Sequence, residues 1–208
     1  MKTSLQVLTE SNIQTNRNKR KQVGILGGTF SPPHIGHLVM ADQVYHQLGL
    51  DCVYFMPDFV PPHVDKKEAI ASEHRVEMVK RAIQGQPHFA LELNEIERGG
   101  KSYTVDTMKE LMRQHPDTDY YFIIGGDMVH YLPKWYKIDE LIQLVQFVGV
   151  GRPHYTKESP YPVLWVDSPE IDVSSTLLRE RIATQCPVRY LIPDAVLAYI
   201  QEKGLYQA

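Results

Sequence analysis

With 208 residues, 43% of them hydrophobic, the chain is long enough to bury a sizeable core within one globular domain. A formal net charge of -3 at pH 7 provides no basic field, so no nucleic acid is expected as a partner. No apolar stretch reaches the ~18 residues that a membrane span needs, so no membrane partner is expected, and the isolated Cys52 and Cys186 fit a reducing, cytoplasmic compartment.

The polar N-terminus differs from the rest of the chain. Residues 1–22 end in NRNKRKQ and lack the apolar centre of a secretory signal, so we predict a flexible N-terminal extension. Residues 23–208 contain neither an internal repeat nor a low-complexity tract, and we predict that they form a single domain.

Apolar, strand-like runs alternate with helix-like segments through this predicted domain. The predicted strands are Val23–Leu26, Cys52–Met56, Phe89–Leu93, Tyr120–Gly125, Gln146–Gly151 and Val163–Val166. The predicted helices lead up to about Leu48, start near Ser72 and Thr104, span Ile138–Leu144, and start near Ser174 and Asp194, the last ending at Gly204. Unbroken apolar strands separated by helices are typical of a parallel sheet covered on both faces. We therefore predict an α/β fold with a Rossmann-like, doubly wound parallel sheet, whose ligands bind beyond the carboxyl ends of the strands.

The stretch GGTFSPPHIGH, at positions 27–37, follows the first predicted strand and leads into the first predicted helix. Its two glycines permit a tight turn with close approach of a ligand to the backbone, and Pro32 and Pro33 stiffen the segment. His34 and His37 are three residues apart, so they lie on one face of the first helical turn. Because free backbone N–H groups and the positive end of the helix dipole lie there, the position suits phosphate, whose oxygens two imidazoles can hold.

Other interpretations of this stretch remain open. It is neither a P-loop nor a G-x-G-x-x-G motif, because no Gly-Lys-Ser/Thr follows and the glycine spacing differs. A metal site of His34, His37 and His63 lacks a matching set of carboxylates or cysteines, so no metal ligand is assigned. A proline-rich turn with incidental histidines is the purely structural alternative.

A second helix start, in DVSSTLLRER at positions 172–181, offers similar chemistry. Ser174 or Ser175 suits the N-cap, and the helix start beyond it has free N–H donors. Thr176 and Arg179 are three apart and share a face, which places a guanidinium beside those donors. Helix capping alone explains the serines, but two such helix starts in one chain together predict that the protein binds a triphosphate.

These residues carry a resemblance to a known superfamily. GGTFSPPHIGH resembles the nucleotidylyltransferase signature, whose H-x-G-H corresponds to His34–His37, and SSTLLRER is similar to the second motif of that superfamily, I-S-S-T-x-I-R. Three further stretches narrow the resemblance to the bacterial nicotinate-nucleotide adenylyltransferase family: MPDFVPPH (56–63), KSYTVDT (101–107) and IIGGDMVHYLPKWYK (123–137). All of these stretches occur in order between about Val23 and Tyr206.

The resemblance implies the nucleotidylyltransferase fold and a transferase of NAD biosynthesis. Its substrates and expected partners would be ATP and nicotinate mononucleotide, and its products nicotinic acid adenine dinucleotide and pyrophosphate. The family mechanism is a direct in-line attack of the mononucleotide phosphate on the α-phosphorus of ATP, without a covalent enzyme intermediate. Mg²⁺, bound mainly through the ATP phosphates, is the implied cofactor, and a homodimer is left open.

The resemblance also implies roles for residues at matching positions. His34, His37 and Arg179 would hold phosphates and stabilise the transition state. ATP binding is implied for Gly28, Thr29, Phe30, Gly125, Asp127, Arg152, Ser175 and Thr176. Recognition of the nicotinate group is implied for Thr104, Trp135 and Tyr136, with Trp135 stacking on the pyridine ring.

Some positions depart from the family pattern or keep two interpretations. Ser31 stands where Asp is common, Asp58 where Asn is frequent, and Gly126 where Ala is expected. His63 either contacts substrate or only shapes its loop, and Trp135 has the alternative of an ordinary core aromatic. None of these positions removes the phosphate-binding chemistry.

Rival functions make different predictions. A sister enzyme that acts on phosphopantetheine or nicotinamide mononucleotide, or a cytidylyltransferase, would not require the KSYT and PKWYK stretches. A class I aminoacyl-tRNA synthetase shares H-I-G-H, but this chain is short and has no K-M-S-K-S-like loop. A nucleotide sensor that has lost catalysis need not retain both histidines and the arginine. A metal hydrolase would release phosphate without an acceptor.

Overall fold

The computed structural model describes residues 20–60, 69–151 and 156–207. Its strands are β1 (Lys21–Gly28), β2 (Cys52–Pro57), β3 (Phe89–Leu91), β4 (Thr118–Gly125), β5 (Gln146–Val150) and β6 (Val163–Val166). Its helices are α1 (Ile35–Leu48), α2 (Ser72–Ile83), α3 (Asn94–Arg98), α4 (Thr104–Gln114), α5 (Gly126–Val129), α6 (Ile138–Leu144), α7 (Ser175–Ala183) and α8 (Asp194–Lys203), with a 3-10 turn at Leu132–Lys134. Every strand and helix predicted from the sequence is present.

The strands form one parallel sheet in the order β3-β2-β1-β4-β5-β6. The chain adds strands on one side of β1 and then crosses to the other side, so the winding reverses between β1 and β4. Such a reversal opens a crevice at the carboxyl ends of the two strands, where ligands of this kind of sheet bind. The predicted doubly wound fold is confirmed.

Two apolar clusters cover the sheet, one on each face. Ile25 belongs to one cluster and Leu26 to the other, because successive side chains of a strand point to opposite faces. The Leu26 cluster includes Val44, Met78, Leu178 and Val196 from α1, α2, α7 and α8, and the Ile25 cluster includes Met108 and Leu141 from α4 and α6. Helices therefore lie on both faces, as the unbroken apolar strands predict.

The first strand begins two residues earlier than the apolar run Val23–Leu26 indicates. The backbone N–H of Lys21 donates to the carbonyl of Asp117 at 2.9 Å, and the Arg20 guanidinium donates to the carbonyl of Thr118 at 2.8 Å. These polar pairings extend β1 beyond its apolar residues, so Lys21 and Gln22 belong to the sheet.

Two short helices adjoin strand ends where the sequence predicts none. The predicted strand Phe89–Leu93 ends at Leu91, and the backbone N–H of Asn94, the first residue of α3, donates to the Glu92 carboxylate at 2.9 Å. The short helix α5 follows β4 directly. In the described part of the chain, no helix is long and apolar enough to cross a lipid bilayer.

Candidate active site

A pocket of about 360 Å³ opens at the carboxyl ends of β1 and β4, where the winding of the sheet reverses. It is large enough for part of a nucleotide-sized ligand. Of the residues predicted to form a site, the pocket is lined by Gly28, Thr29, Phe30, His34, His37, Thr104, Gly125, Asp127, Trp135, Ser175, Thr176 and Arg179. Arg152 and His63 lie outside the described residues.

The loop between β1 and α1 folds tightly under the pocket. Phe30 is buried with φ near +49°, in the left-handed region that few non-glycine residues adopt. A Cβ on Gly28 would lie 3.3 Å from Cζ of the Phe30 ring, so the glycine leaves space for that ring. The loop thus presents its backbone to the pocket while its aromatic side chain enters the core.

The two histidine rings at the start of α1 lie against each other, tilted by 32°. The His34 side chain is 2% exposed, and its ring centroid lies 3.8 Å from that of His37. Nδ1 of His37 accepts a hydrogen bond from the backbone N–H of His34 at 3.2 Å, which in a neutral imidazole places the proton on Nε2. Since a Cβ on Gly36 would lie 3.0 Å from Nδ1 of His34, the glycine of H-x-G-H lets this ring lie against the helix.

The start of α7 is joined directly to this loop. Ser174 is the N-cap, and its hydroxyl accepts from the backbone N–H of Leu177 at 3.2 Å. The Ser175 hydroxyl donates to the carbonyl of Pro32 at 2.9 Å, across 143 positions of sequence. The two predicted phosphate-binding helix starts therefore meet at one pocket.

Arg179 makes the second link between the two helix starts. Its guanidinium donates to the carbonyl of Ser31 at 2.8 Å and to Oγ1 of Thr176 at 3.2 Å. The predicted common face of Thr176 and Arg179 is thus confirmed. A fixed cation stands between two sets of helix N-terminal N–H groups, which is an arrangement that favours anions.

Ser31, a departure from the family pattern, has a clear environment. It is buried, and Oγ lies 3.0 Å from the phenol oxygen of Tyr206, near the end of the chain. Burial raises the pKa of Tyr206 to about 12, so the phenol stays neutral. A neutral serine suits this neutral partner.

Below the loop lies a buried ion pair that the sequence does not predict. Arg75 of α2 is 2% exposed, and Nη1 lies 3.1 Å from the Asp58 carboxylate. The same guanidinium donates to the carbonyls of Thr29, Asp58, Phe59 and Ile70, at distances between 2.7 and 3.2 Å. Arg75 therefore holds together the loops that follow β1 and β2.

Asp58 completes this network. Its carboxylate accepts from the Thr29 hydroxyl at 2.8 Å and from Arg75. Burial raises the pKa of the Asp58 carboxyl above its usual value, while the hydrogen bond from Thr29 and the charge of Arg75 oppose that rise. The spacing of Arg75, Val79 and Ile83 puts all three on the buried face of α2, and this periodicity is the sequence signal that could have indicated Arg75.

On the far side of the pocket are the residues predicted to recognise the nicotinate group. Thr104 is the first residue of α4, and Trp135 is half-buried with its ring edge-on to Phe122 at 5.8 Å. Trp135 packs on the core and also lines the pocket. Tyr136 does not line this pocket; it is 46% exposed and packs against Tyr103 at 4.6 Å.

The pocket also contains a buried carboxyl that the sequence does not indicate. Glu95 of α3 is 3% exposed and accepts from the Thr107 hydroxyl at 2.9 Å. Burial raises the pKa of the Glu95 carboxyl, while hydrogen bonds from Ser102 and Thr107 oppose that rise. The helix α3 is too short and too polar to be predicted from the sequence. The position of Glu95 in the pocket could therefore not be predicted either.

These features define a class of protein: a doubly wound α/β protein in which two helix starts and an arginine meet at one pocket, an arrangement that favours anions. In agreement, residues 25–181 match the model of the cytidylyltransferase-like family. A protein of Enterococcus faecalis named "Probable nicotinate-nucleotide adenylyltransferase" is 61% identical over 188 residues, which are 90% of this chain and 86% of that protein.

Two further relatives narrow the class. The nicotinate-nucleotide adenylyltransferase of Bacillus subtilis is 54% identical over 188 residues, 90% of this chain and 100% of that protein. The solved structure of Plasmodium falciparum nicotinic acid mononucleotide adenylyltransferase complexed with NaAD has a TM-score of 0.76 at 19% identity and covers 89% of this chain and 97% of that one, which shows a shared fold. The chain belongs to the nicotinate-nucleotide adenylyltransferase family.

Proposed function

We propose that this protein is a cytoplasmic enzyme of NAD biosynthesis that transfers the adenylyl group of ATP to nicotinate mononucleotide. Nicotinic acid adenine dinucleotide and pyrophosphate are the products. The observation that carries this proposal is that the two helix starts predicted to bind phosphate meet at one pocket, where Ser175 and Arg179 join the start of α7 to the β1–α1 loop.

The reaction is a single in-line displacement at the α-phosphorus of ATP. A phosphate oxygen of the mononucleotide forms the new P–O bond, and the bond to the bridging oxygen of the β-phosphate breaks. Pyrophosphate leaves with that electron pair. Transfers of this kind depend on positioning and charge neutralisation, so no nucleophilic side chain is needed.

The chain's own groups suit these demands. His37 presents its Nε2 proton as a donor because its Nδ1 is held by the backbone N–H of His34. With Arg179, the two histidines would hold the ATP phosphates and stabilise charge as it grows on their oxygens. Free N–H groups at the start of α7, beside Ser175 and Thr176, would bind the same phosphates.

Mg²⁺ would enter mainly on the phosphates of ATP. The pocket lining includes the carboxylates of Asp58, Glu95 and Asp127, and Mg²⁺ prefers oxygen ligands and is commonly held by substrate phosphates with one or two carboxylates. Asp58 is already engaged by Thr29 and Arg75. This donor set fits an ion carried by the nucleotide, which would supply further charge neutralisation at the leaving pyrophosphate.

Acceptor choice would rest on the wall opposite α7. Thr104, with neighbouring N–H groups at the start of α4, would bind the nicotinate carboxylate. Trp135 offers a flat ring for stacking on the pyridine. Tyr136 would have to rotate from its packing on Tyr103 to take part.

The test is pyrophosphate release from ATP in the presence of Mg²⁺. Release is measured without an acceptor and then with each of four acceptors: nicotinate mononucleotide, nicotinamide mononucleotide, phosphopantetheine and an acceptor of cytidylyltransferases. We expect release only with the mononucleotides and the fastest release with the nicotinate form. Phosphate release without acceptor would instead indicate a hydrolase. Nucleotide binding without release under any condition would indicate a sensor.

A further inference from the structure

Three potential metal ligands meet away from the residues that line the pocket. Asp42 and His46 lie one turn apart on α1, and His88 immediately precedes β3. Oδ1 of Asp42 lies 3.4 Å from Nε2 of His46 and 3.5 Å from Nε2 of His88. One ligand atom from each residue lies within 4.8 Å of the others. We call these residues the α1–β3 cluster.

The His88 ring is held in place before any ligand arrives. It stacks on Tyr45 with a centroid distance of 4.2 Å and an interplanar angle of 19°, and it meets Phe89 edge-on at 4.4 Å. Its Nε2 is buried, and no group in residues 20–60, 69–151 and 156–207 makes a hydrogen bond to it. A fixed imidazole nitrogen thus faces Asp42 without a hydrogen bond.

A short, charge-assisted hydrogen bond to Asp42 does not account for this geometry. Charge-assisted N–H···O bonds are about 2.7–2.9 Å long, and both contacts to Asp42 are longer than that. Ligand atoms of a tetrahedral Zn²⁺ site, at bonds of about 2.0–2.1 Å, lie about 3.3 Å apart. The separations of Asp42 Oδ1 from Nε2 of His46 and from Nε2 of His88 are close to this value.

We propose that the α1–β3 cluster binds a divalent first-row transition metal such as Zn²⁺, through two imidazoles and one carboxylate. Imidazole ligands favour Zn²⁺, Ni²⁺, Co²⁺ and Cu²⁺ over Mg²⁺ and Ca²⁺, which take oxygen donors. His46 is exposed, so the metal can enter from solvent and a water can complete its coordination.

The position of the cluster predicts the effect of the metal. His88 lies at the amino end of β3, whereas the pocket lies at the carboxyl ends of the strands. A metal there would link α1 to the β3 edge of the sheet without touching the phosphate-binding residues. Because only the folded protein brings the three ligands together, the metal would raise thermal stability and leave adenylyl transfer with Mg²⁺ unchanged.

The test is titration of the tag-free, EDTA-treated and dialysed protein with Zn²⁺ alone, by calorimetry at about pH 7.5, because imidazole must be neutral to bind a metal. We expect one equivalent per chain and binding weaker by at least about tenfold in His46→Ala and Asp42→Asn. The matched control is His115→Ala, an exposed histidine outside the cluster, which should bind like the wild type. Equal binding in all variants, or loss only in His37→Ala, would overturn the proposal.

A second measurement identifies the ligands without relying on any variant. Addition of Zn²⁺ to ¹⁵N-labelled protein should shift the imidazole nitrogen signals of His46 and His88 and leave that of His115 in place. Co²⁺ should give the intense visible absorption of a four-coordinate site, and Zn²⁺ should abolish it. Unshifted His46 and His88 signals at saturating Zn²⁺ would contradict the proposal even if the metal binds elsewhere.

Discussion

Replacing Gly36 by Ala tests whether the position of the His34 ring matters for catalysis. The new Cβ would lie 3.0 Å from Nδ1 and 3.1 Å from Cε1 of His34. Comfortable contacts between such atoms are about 3.5–4.0 Å, so the ring must move by about 0.5 Å. It cannot retreat freely, because the His37 ring lies 3.8 Å away, centroid to centroid.

The expected result is a split between activity and stability. Because a misplacement of about 1 Å can cost about 10²-fold in rate, we expect kcat to fall by about 10- to 100-fold. Stability should change little, because the helix preference for Ala over Gly, as much as about 1 kcal/mol, opposes the cost of the tight contact with His34. The assay is pyrophosphate release at saturating substrates, with unfolding in urea measured in parallel.

A matched glycine substitution supplies the control. Gly85 lies in a surface turn at φ +82°, and a Cβ added there would have no atom within 4 Å, so Gly85→Ala strains the backbone and leaves the pocket untouched. It should lower stability and preserve kcat, the reverse of Gly36→Ala. A kcat within about twofold of wild type in Gly36→Ala would refute the argument that His34 must be held in its present position.

Three further outcomes are expected. His37→Ala should lower kcat by about 10²-fold or more at nearly unchanged stability, and an unchanged kcat would mean that this histidine is structural. Arg75→Met should destabilise the protein by about 3–5 kcal/mol in urea unfolding because it leaves the Asp58 carboxylate buried without its cation, and adding Asp58→Asn should restore part of that loss. Burial raises the pKa of Tyr206 to about 12, above the ordinary phenol value of about 10, so its neutral form stabilises the fold below about pH 10 and this contribution is lost as the pH rises towards 12. The unfolding free energy should therefore fall more steeply between those pH values in wild type than in Tyr206→Phe, and parallel curves would contradict the assignment.

The sequence predicts the fold well where packing and backbone chemistry act locally. Unbroken apolar runs predict the six parallel strands. Ser174 caps α7 because its hydroxyl can accept a hydrogen bond from a backbone N–H of the first helical turn. The ends of β1 and β3 are less well predicted because they depend on polar contacts with distant residues, such as that between Arg20 and Thr118. Local pattern carries no information on such pairings.

The candidate site shows the same limit. The histidine pair and the start of α7 are recognisable from sequence, but the bonds that join them, Ser175 to Pro32 and Arg179 to Ser31, depend on how the sheet brings its strand ends together. Arg75 is a charged residue at a buried position of a helix. From residue type alone, an arginine is expected at the surface. The environment of Ser31 likewise depends on Tyr206, near the other end of the chain.

The central claim is that this pocket joins ATP specifically to nicotinate mononucleotide. The most direct measurement compares kcat/KM for nicotinate mononucleotide and nicotinamide mononucleotide at saturating ATP and Mg²⁺. A hydrogen bond to a charged group contributes about 1.5–3 kcal/mol, and only the nicotinate form has a carboxylate to receive one. We therefore predict that kcat/KM is at least about tenfold higher for the nicotinate form. Equal or faster reaction of nicotinamide mononucleotide would contradict the account.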